Sequence, residues 1–384
     1  MSWTTDRRNE RFSYSRVSYP DLHEMGEYGD IKGGSVEYSA FSPIKATCSF
    51  DFEGDEPDTV DCVRITYSFD DAGGSHHDVM LGTFLCQYGD VSYKDCGGEL
   101  VASGTAEGSS LLSVAANRVI GYPLTVPAGT NAIDKARNML ALGQDRDGLG
   151  MRVVRDTSDY VLQSPHVFKP DTTYLEAVNW LLSAAGFASA DVLPTGEIAL
   201  RRYVEPSRRV TTYTFANNAE SIMCRGVREE SDYMTSPNVV RMSYEDDNVS
   251  VSAVAKAESG SRNSLKARGN REITLYEEVT ELGDGDKLEL LKAMALKRLL
   301  DNGSDILKLS WSHAYVPIMC GDAVTVEYGG RKWDMNITNM SVSLAPSCKT
   351  DTKGRTFINS SIVTSVEGAA YELRPAGAAV MGEE

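Results

Sequence analysis

The sequence predicts a mainly-β fold with an α+β insert: two antiparallel β regions, each a barrel or sandwich, separated by a small helical-strand domain. Three observations predict it. Apolar and polar residues alternate at period two from Ser35 to about Ala106 and again after Val204, the spacing of half-buried strands. Between these regions the apolar spacing switches twice to that of an amphipathic helix. Pro123, Pro127 and Gly129 punctuate the first switch and Pro206 the second. The expected organisation is an N-terminal arm (1–15), a first β domain (16–128), an α+β insert (129–204), a second β domain (205–366) with one long helix (286–301), and a C-terminal tail (367–384).

Residues 1–15 are polar and read as an extended arm, either disordered or tied to a neighbour. In the first β domain Ala46, Cys48, Phe50 and Phe52 alternate with polar residues, as do Val63, Ile65, Tyr67 and Phe69. The acidic stretch Gly54 to Asp58 is the turn of the first pair, and Gly73-Gly74 lies in a hairpin leading to Val79 to Cys86. Further strands at Tyr88 to Tyr93 and Glu99 to Ala106 bring the count to five or more, enough for a barrel or sandwich.

In the insert, Thr130 is the expected N-cap of a first helix whose Ile133, Ala136, Met139 and Leu140 share one face, with Gly143 as its stop. Thr173 and Glu176 have capping-box spacing ahead of a second apolar stripe, Leu175, Val178, Leu181, Leu182 and Ala185, and Gly186 offers the left-handed cap. Short strands are expected at Met151 to Arg155, Asp159 to Leu162 and Glu197 to Tyr203.

The second β region has strand patterns at Val210 to Phe215, Val239 to Tyr244 and Val249 to Ala255, with Asp246-Asp247-Asn248 as a hairpin turn. Lys256 to Arg271 has no apolar periodicity and reads as a long exposed loop that contacts a neighbouring subunit. Asp286 caps the long helix, whose seam is Leu288, Leu291, Ala295 and Leu299. Strands follow at Ile306 to Trp311, Ala323 to Tyr328, Lys332 to Thr338 and Ser341 to Leu344, with Phe357 to Val363 as an edge strand and a poorly ordered tail from Glu367.

Charge narrows the function. The net charge of -17 argues against a surface built to neutralise phosphates. Residues 1–128 hold 20 acidic and 9 basic side chains, so the acidity sits in the first third. No apolar run approaches the ~20 residues of a membrane crossing, and the polar start, Met1 to Arg16, does not read as a secretion signal. Seven widely spaced cysteines without a C-x-x-C pair read as reduced, mostly buried thiols.

No catalytic, cofactor-binding or metal-ligating residue is expected. His23, His76, His77, His166 and His313 stand outside any recognisable hydrolase motif. His76-His77-Asp78 reads as a polar hairpin end, since adjacent strand residues point to opposite faces. Asp145-Arg146-Asp147-Gly148 lacks the glycine position and closing glutamate of a calcium loop, and Asp284-Gly285-Asp286 reads as a turn plus N-cap. The acidic clusters Asp55-Glu56-Asp58 and Glu229-Glu230-Asp232 read as solvated faces rather than a glycosidase pair.

Three stretches carry a family resemblance: the helix end AAGF (184–187) with the strand PTGEIALRRY (194–203), HDVMLGTFLC (77–86), and HAYVPIMCGDAVTVEY (313–328). Set between two β domains, they resemble the hub proteins at the tip or baseplate of phage tails and related injection machines. The resemblance implies that both β domains are tube-like. It implies a homotrimer that adapts a six-fold tail tube, or distal tail protein, to a three-fold tip, spike or fibre, with a tape-measure protein as a further neighbour. DNA would pass without specific binding, and the protein would assemble in the host cytoplasm into the virion. The pattern is incomplete in that nothing after residue 366 looks like a spike, fibre or wall-degrading domain. Two other classes stay open: a cell-wall glycan hydrolase, which needs a cleft with paired carboxylates, and a carbohydrate-binding β module, for which 4 Trp offer little platform but 18 Tyr leave room.

Overall fold

The computed structural model describes residues 7–54, 62–98, 100–141, 148–218, 221–231, 233–246, 248–257, 262–279, 282, 286–303, 307–356 and 365–372. The expected features at Gly54 to Asp58, Gly143, Asp145 to Asp147, Asp232, Asp247, Asp284-Gly285, Phe357 to Val363 and beyond residue 372 lie wholly or partly outside the described residues. The chain divides into two compact units. One holds Met1–Glu205, Arg209–Arg228 and Ser310–Gly354, and the other Pro206–Arg208, Glu229–Leu309 and Arg355–Glu384.

The first unit begins with six strands: β1 (Arg8–Val17), β2 (Glu24–Ser39), β3 (Ala46–Gly54), β4 (Cys62–Asp70), β5 (His76–Asp95) and β6 (Leu100–Ser110). They run in the order β1-β4-β5-β6-β3-β2, and β1 also pairs with β2, which closes the ring into a six-stranded barrel. All of its pairs are antiparallel. Closure explains the strict alternation of β3, where Ala46, Cys48, Phe50 and Phe52 are buried and Thr47, Ser49, Asp51 and Glu53 are exposed. Tyr14 lies 5.8 Å from Phe50 and 6.0 Å from Phe52 between ring centroids, filling the interior. Gly108 on β6 is a packing requirement. A Cβ there would stand 2.7 Å from Cys48 Sγ and 2.8 Å from Cys86 Sγ, closer than atoms pack.

The expected N-terminal arm is therefore corrected. Residues 8–17 are β1, hydrogen-bonded on both sides, with Phe12, Tyr14 and Val17 buried. Two aromatics among polar residues were too few to reveal a strand whose faces are both covered.

The insert follows: α1 (Leu112–Asn117), β7 (Leu124–Val126), α2 (Ala132–Leu140), β8 (Val153–Arg155), β9 (His166–Phe168), α3 (Tyr174–Ala184), β10 (Asp191–Val192) and β11 (Ile198–Leu200). The apolar faces read for α2 and α3 lie in one core with Leu111, Leu112 and Phe168. The capping box is present: Thr173 Oγ1 accepts from Glu176 N at 3.2 Å, and Glu176 Oε2 accepts from Thr173 N at 2.8 Å. Gly186 has φ +72°. The cap of α2 shifts by one residue, to Asn131, whose Oδ1 accepts from Ile133 N and Asp134 N. Asp159 to Leu162 makes an isolated bridge instead of a strand.

After Val204 the strands are β12 (Thr211–Ala216), β13 (Met223–Ser231), β14 (Val239–Glu245), β15 (Val249–Lys256), β16 (Thr274–Val279), then α4 (Lys287–Gly303), β17 (Leu307–Ala314), β18 (Ala323–Tyr328), β19 (Arg331–Ser343), β20 (Lys349–Thr356) and β21 (Ser365–Glu372). They do not form one domain over 205–366. β12, β18, β19, β20, β17 and β13 are a second set of six, and β19 joins it to the barrel by pairing with β2, Asn339 to Ser39 through Ser343 to Ser35. The result is one 12-stranded sheet. Two expected strands, at 332–338 and 341–344, are a single β19, paired with β18 in its first half and with β2 in its second.

β14, β15, β16 and β21 make a separate four-stranded sheet in the second unit, covered on one face by α4 through Leu291, Ala295 and Leu299. Asp286 caps α4 as expected, accepting from Leu288 N and Glu289 N. The long helix thus belongs to this sheet and not to the second set of six. The expected disorder from Glu367 is also corrected, because β21 pairs with β15 from Ser365 to Glu372.

Candidate functional site

On the first unit, the faces of β2, β19, β20, β17 and β13 form an open groove of about 650 Å³. Its floor carries Ser310, Ser312, Asn339 and Ser341, with Glu37 and Asp351 among the lining acids and Arg225, Arg228 and Lys353 among the bases. Ser341 Oγ donates to Glu37 Oε1 at 2.5 Å across the β2–β19 junction, and Ser312 Oγ donates to Asp351. Small hydroxyls and charges of both signs line the groove.

Beneath the groove the sheet buries His313, whose Nε2 is 2.8 Å from Thr352 Oγ1 and whose Nδ1 is 2.8 Å from Ala314 O. Burial lowers its pKa to about 4, so it packs as a neutral ring beside Phe215. The other histidines are dispersed. His76 meets Asp70 at 2.8 Å and Asp78 at 3.3 Å, while His77 meets Asp71 at 2.9 Å and stacks on Phe69. The two rings therefore engage different carboxylates. His166 stacks on Trp180 with ring centroids 3.8 Å apart, and His23 sits in a turn where its N–H donates to Ser18 Oγ. Among the described residues no three His, Cys, Asp or Glu side chains are grouped to hold a metal.

Among the described residues, Asp191 and Asp322 have carboxyls with raised pKa, both pushed up chiefly by burial. They belong to a semi-buried polar cluster with Lys45, whose Nζ donates to Ala40 O at 2.6 Å and Ser189 Oγ at 3.1 Å. Burial lowers the Lys45 pKa and pushes the nearby Cys320 thiol up to about 12. A thiol so protonated is no nucleophile. The groove holds neither of these two carboxylates. Sequence patterns could not reveal this cluster, because its burial arises from three distant segments.

No protein-family model and no curated protein match the sequence. Solved structures do match its fold. A tail protein from Neisseria meningitidis MC58 superposes with a TM-score of 0.58 at 13% identity, over 91% of this chain and 97% of that one. The 43 kDa tail protein of prophage MuSo2 from Shewanella oneidensis gives 0.57 at 9% identity over 92% and 100%. Prophage tail protein gp18 from Listeria monocytogenes EGD-e gives 0.52 at 10% identity over 90% and 94%. The chain has the fold of phage tail proteins along nearly its whole length.

Proposed function

We propose that this chain, which shares its fold with phage tail proteins, is a non-enzymatic structural hub of a tail tip or baseplate. Three copies form a ring that adapts a six-fold tail tube or distal tail protein to a three-fold tip, spike or fibre, and the ring surrounds the path of exiting DNA. The observation that carries this reading is the pairing of β2 with β19, which ties two sets of six strands into one sheet within a single chain. Three copies then present six sets of six strands. The two sets are the tube-like modules of the reading, residues 8–110 for the first and the strands within 211–231 and 307–356 for the second. A net charge of -17 supports free passage of DNA, since a lining of like charge does not retain phosphates.

Assembly takes place in the host cytoplasm and the product resides in the virion. Light scattering of the purified chain, alone and with its tail-tube protein, tests the reading. A mass of three copies supports it. A monomer at every concentration that also ignores the tube protein overturns it, and release of soluble fragments from peptidoglycan by the pure chain would put a glycan hydrolase in its place.

A further inference from the structure

The stretch Lys256 to Arg271, read from sequence as a long exposed loop, has a fixed shape where it is described. Asn263 is fully buried and donates from Nδ2 to Pro237 O at 2.7 Å. Arg268, only 5% exposed, donates to Ser236 O at 2.7 Å, to Asn263 Oδ1 at 2.8 Å and to Tyr233 O. Asn238, also fully buried, accepts from Ile273 N at 2.8 Å and donates to Arg271 O at 2.8 Å. Three buried polar side chains thus hold the loop against the segment 233–238. A loop ordered in advance has little conformational entropy left to lose on binding.

What this scaffold presents is basic. Residues 262–271 contain Arg262, Lys266, Arg268 and Arg271 and no acidic residue, in a chain of net charge -17. Arg262, Lys266 and Arg271 are exposed. The segment that Arg268 is bonded to carries two exposed apolar side chains, Tyr233 at 44% and Met234 at 80%. Arg, Tyr and Met together are the composition of a protein interface, whereas a phosphate surface gains nothing from an exposed methionine.

We propose that residues 262–271, with Tyr233 and Met234, are a preformed docking surface for the acidic first 128 residues of a second copy of this chain. The inference rests on the ring reading and names one of its contacts. Charge complementarity selects the partner: residues 1–128 hold 20 acidic side chains against 9 basic ones. Identical copies of an acidic chain repel unless each offers a positive patch, and this loop is such a patch.

The test is the R262E/K266E double variant, followed by light scattering over a concentration series at low and high salt. Its thermal unfolding midpoint should match the wild type, since both side chains are exposed. Assembly to three copies should need about tenfold more protein, and added salt should weaken the wild type more than the variant. The R262Q/K266Q variant, which removes charge without reversing it, should fall between them. A variant assembly curve that overlays the wild type overturns the proposal while leaving the ring intact. Unchanged assembly combined with lost binding of a labelled DNA duplex would assign the loop to nucleic acid and also overturn it. A wild type that stays monomeric with and without tube protein removes the ring reading and this contact together.

Discussion

His313 and Thr352, on neighbouring strands β17 and β20, are both buried and meet at 2.8 Å, with the imidazole Nε2 against the threonine hydroxyl. Because Nδ1 faces the Ala314 carbonyl, the ring donates there and accepts from Thr352, which requires it to be neutral. The folded-state pKa of about 4 lies below the ordinary value of about 6.5. Below pH 6.5 the unfolded chain takes up a proton that the folded chain refuses, so this stability is present above pH 6.5 and is lost as pH falls toward 4. The loss amounts to up to about 3 kcal/mol. Denaturant unfolding at pH 7.5 and pH 5 should show a smaller difference for His313→Gln than for wild type, and parallel losses in the two proteins would refute the assignment.

Gly108 carries a packing prediction. Ala at this position should destabilise by about 1–3 kcal/mol, because its methyl meets the sulfurs of Cys48 and Cys86. Adding Cys48→Ala and Cys86→Ala should make the same glycine substitution cheaper. A double-mutant cycle with no coupling would show that the sulfurs are not what the glycine accommodates.

The capping box at Thr173 predicts a smaller effect. Thr173→Ala removes the acceptor of Glu176 N and should cost about 1 kcal/mol, read as a lower urea midpoint with an unchanged m-value.

Arg268 and Arg262 separate the loop's scaffold from its surface. Arg268→Met leaves the carbonyls of Ser236 and Tyr233 and the Asn263 amide without their donor and should cost about 2–4 kcal/mol. Amide exchange across residues 262–273 should accelerate in that variant. Arg262→Ala, on the exposed side, should stay within about 0.5 kcal/mol of wild type with unaltered exchange.

Local signals were the legible part of this fold. The Thr173 box, the Asp286 cap and the alternation of Ala46 to Phe52 each depend on a few adjacent residues, and each appears where its chemistry puts it. Pairings between distant segments were hidden. β12 precedes α4 and β18 follows it in the chain, yet they pair, while β14, β15 and β16 lie between them and join another sheet. Period-two spacing is the same in both sheets, so it could not assign strands to one or the other. The loop of residues 262–271 looked solvated because its buried groups are Asn and Arg, whose burial depends on carbonyls supplied from 233–238. The cluster of Lys45, Asp191, Cys320 and Asp322 escaped for the same reason: its members come from three distant segments.

Strand β2 borders three partners, β1 and β3 within the barrel and β19 beyond it. Its residues Ser35–Tyr38 carry the β3 ladder on one side and the β19 ladder on the other. A twist or pull applied to one set of six strands is therefore transmitted to the other as shear across parallel rows of backbone hydrogen bonds, which must fail together and not one by one. Such a joint is stiff along the strands. A conformational signal arriving at one set would reach the other without a hinge to absorb it.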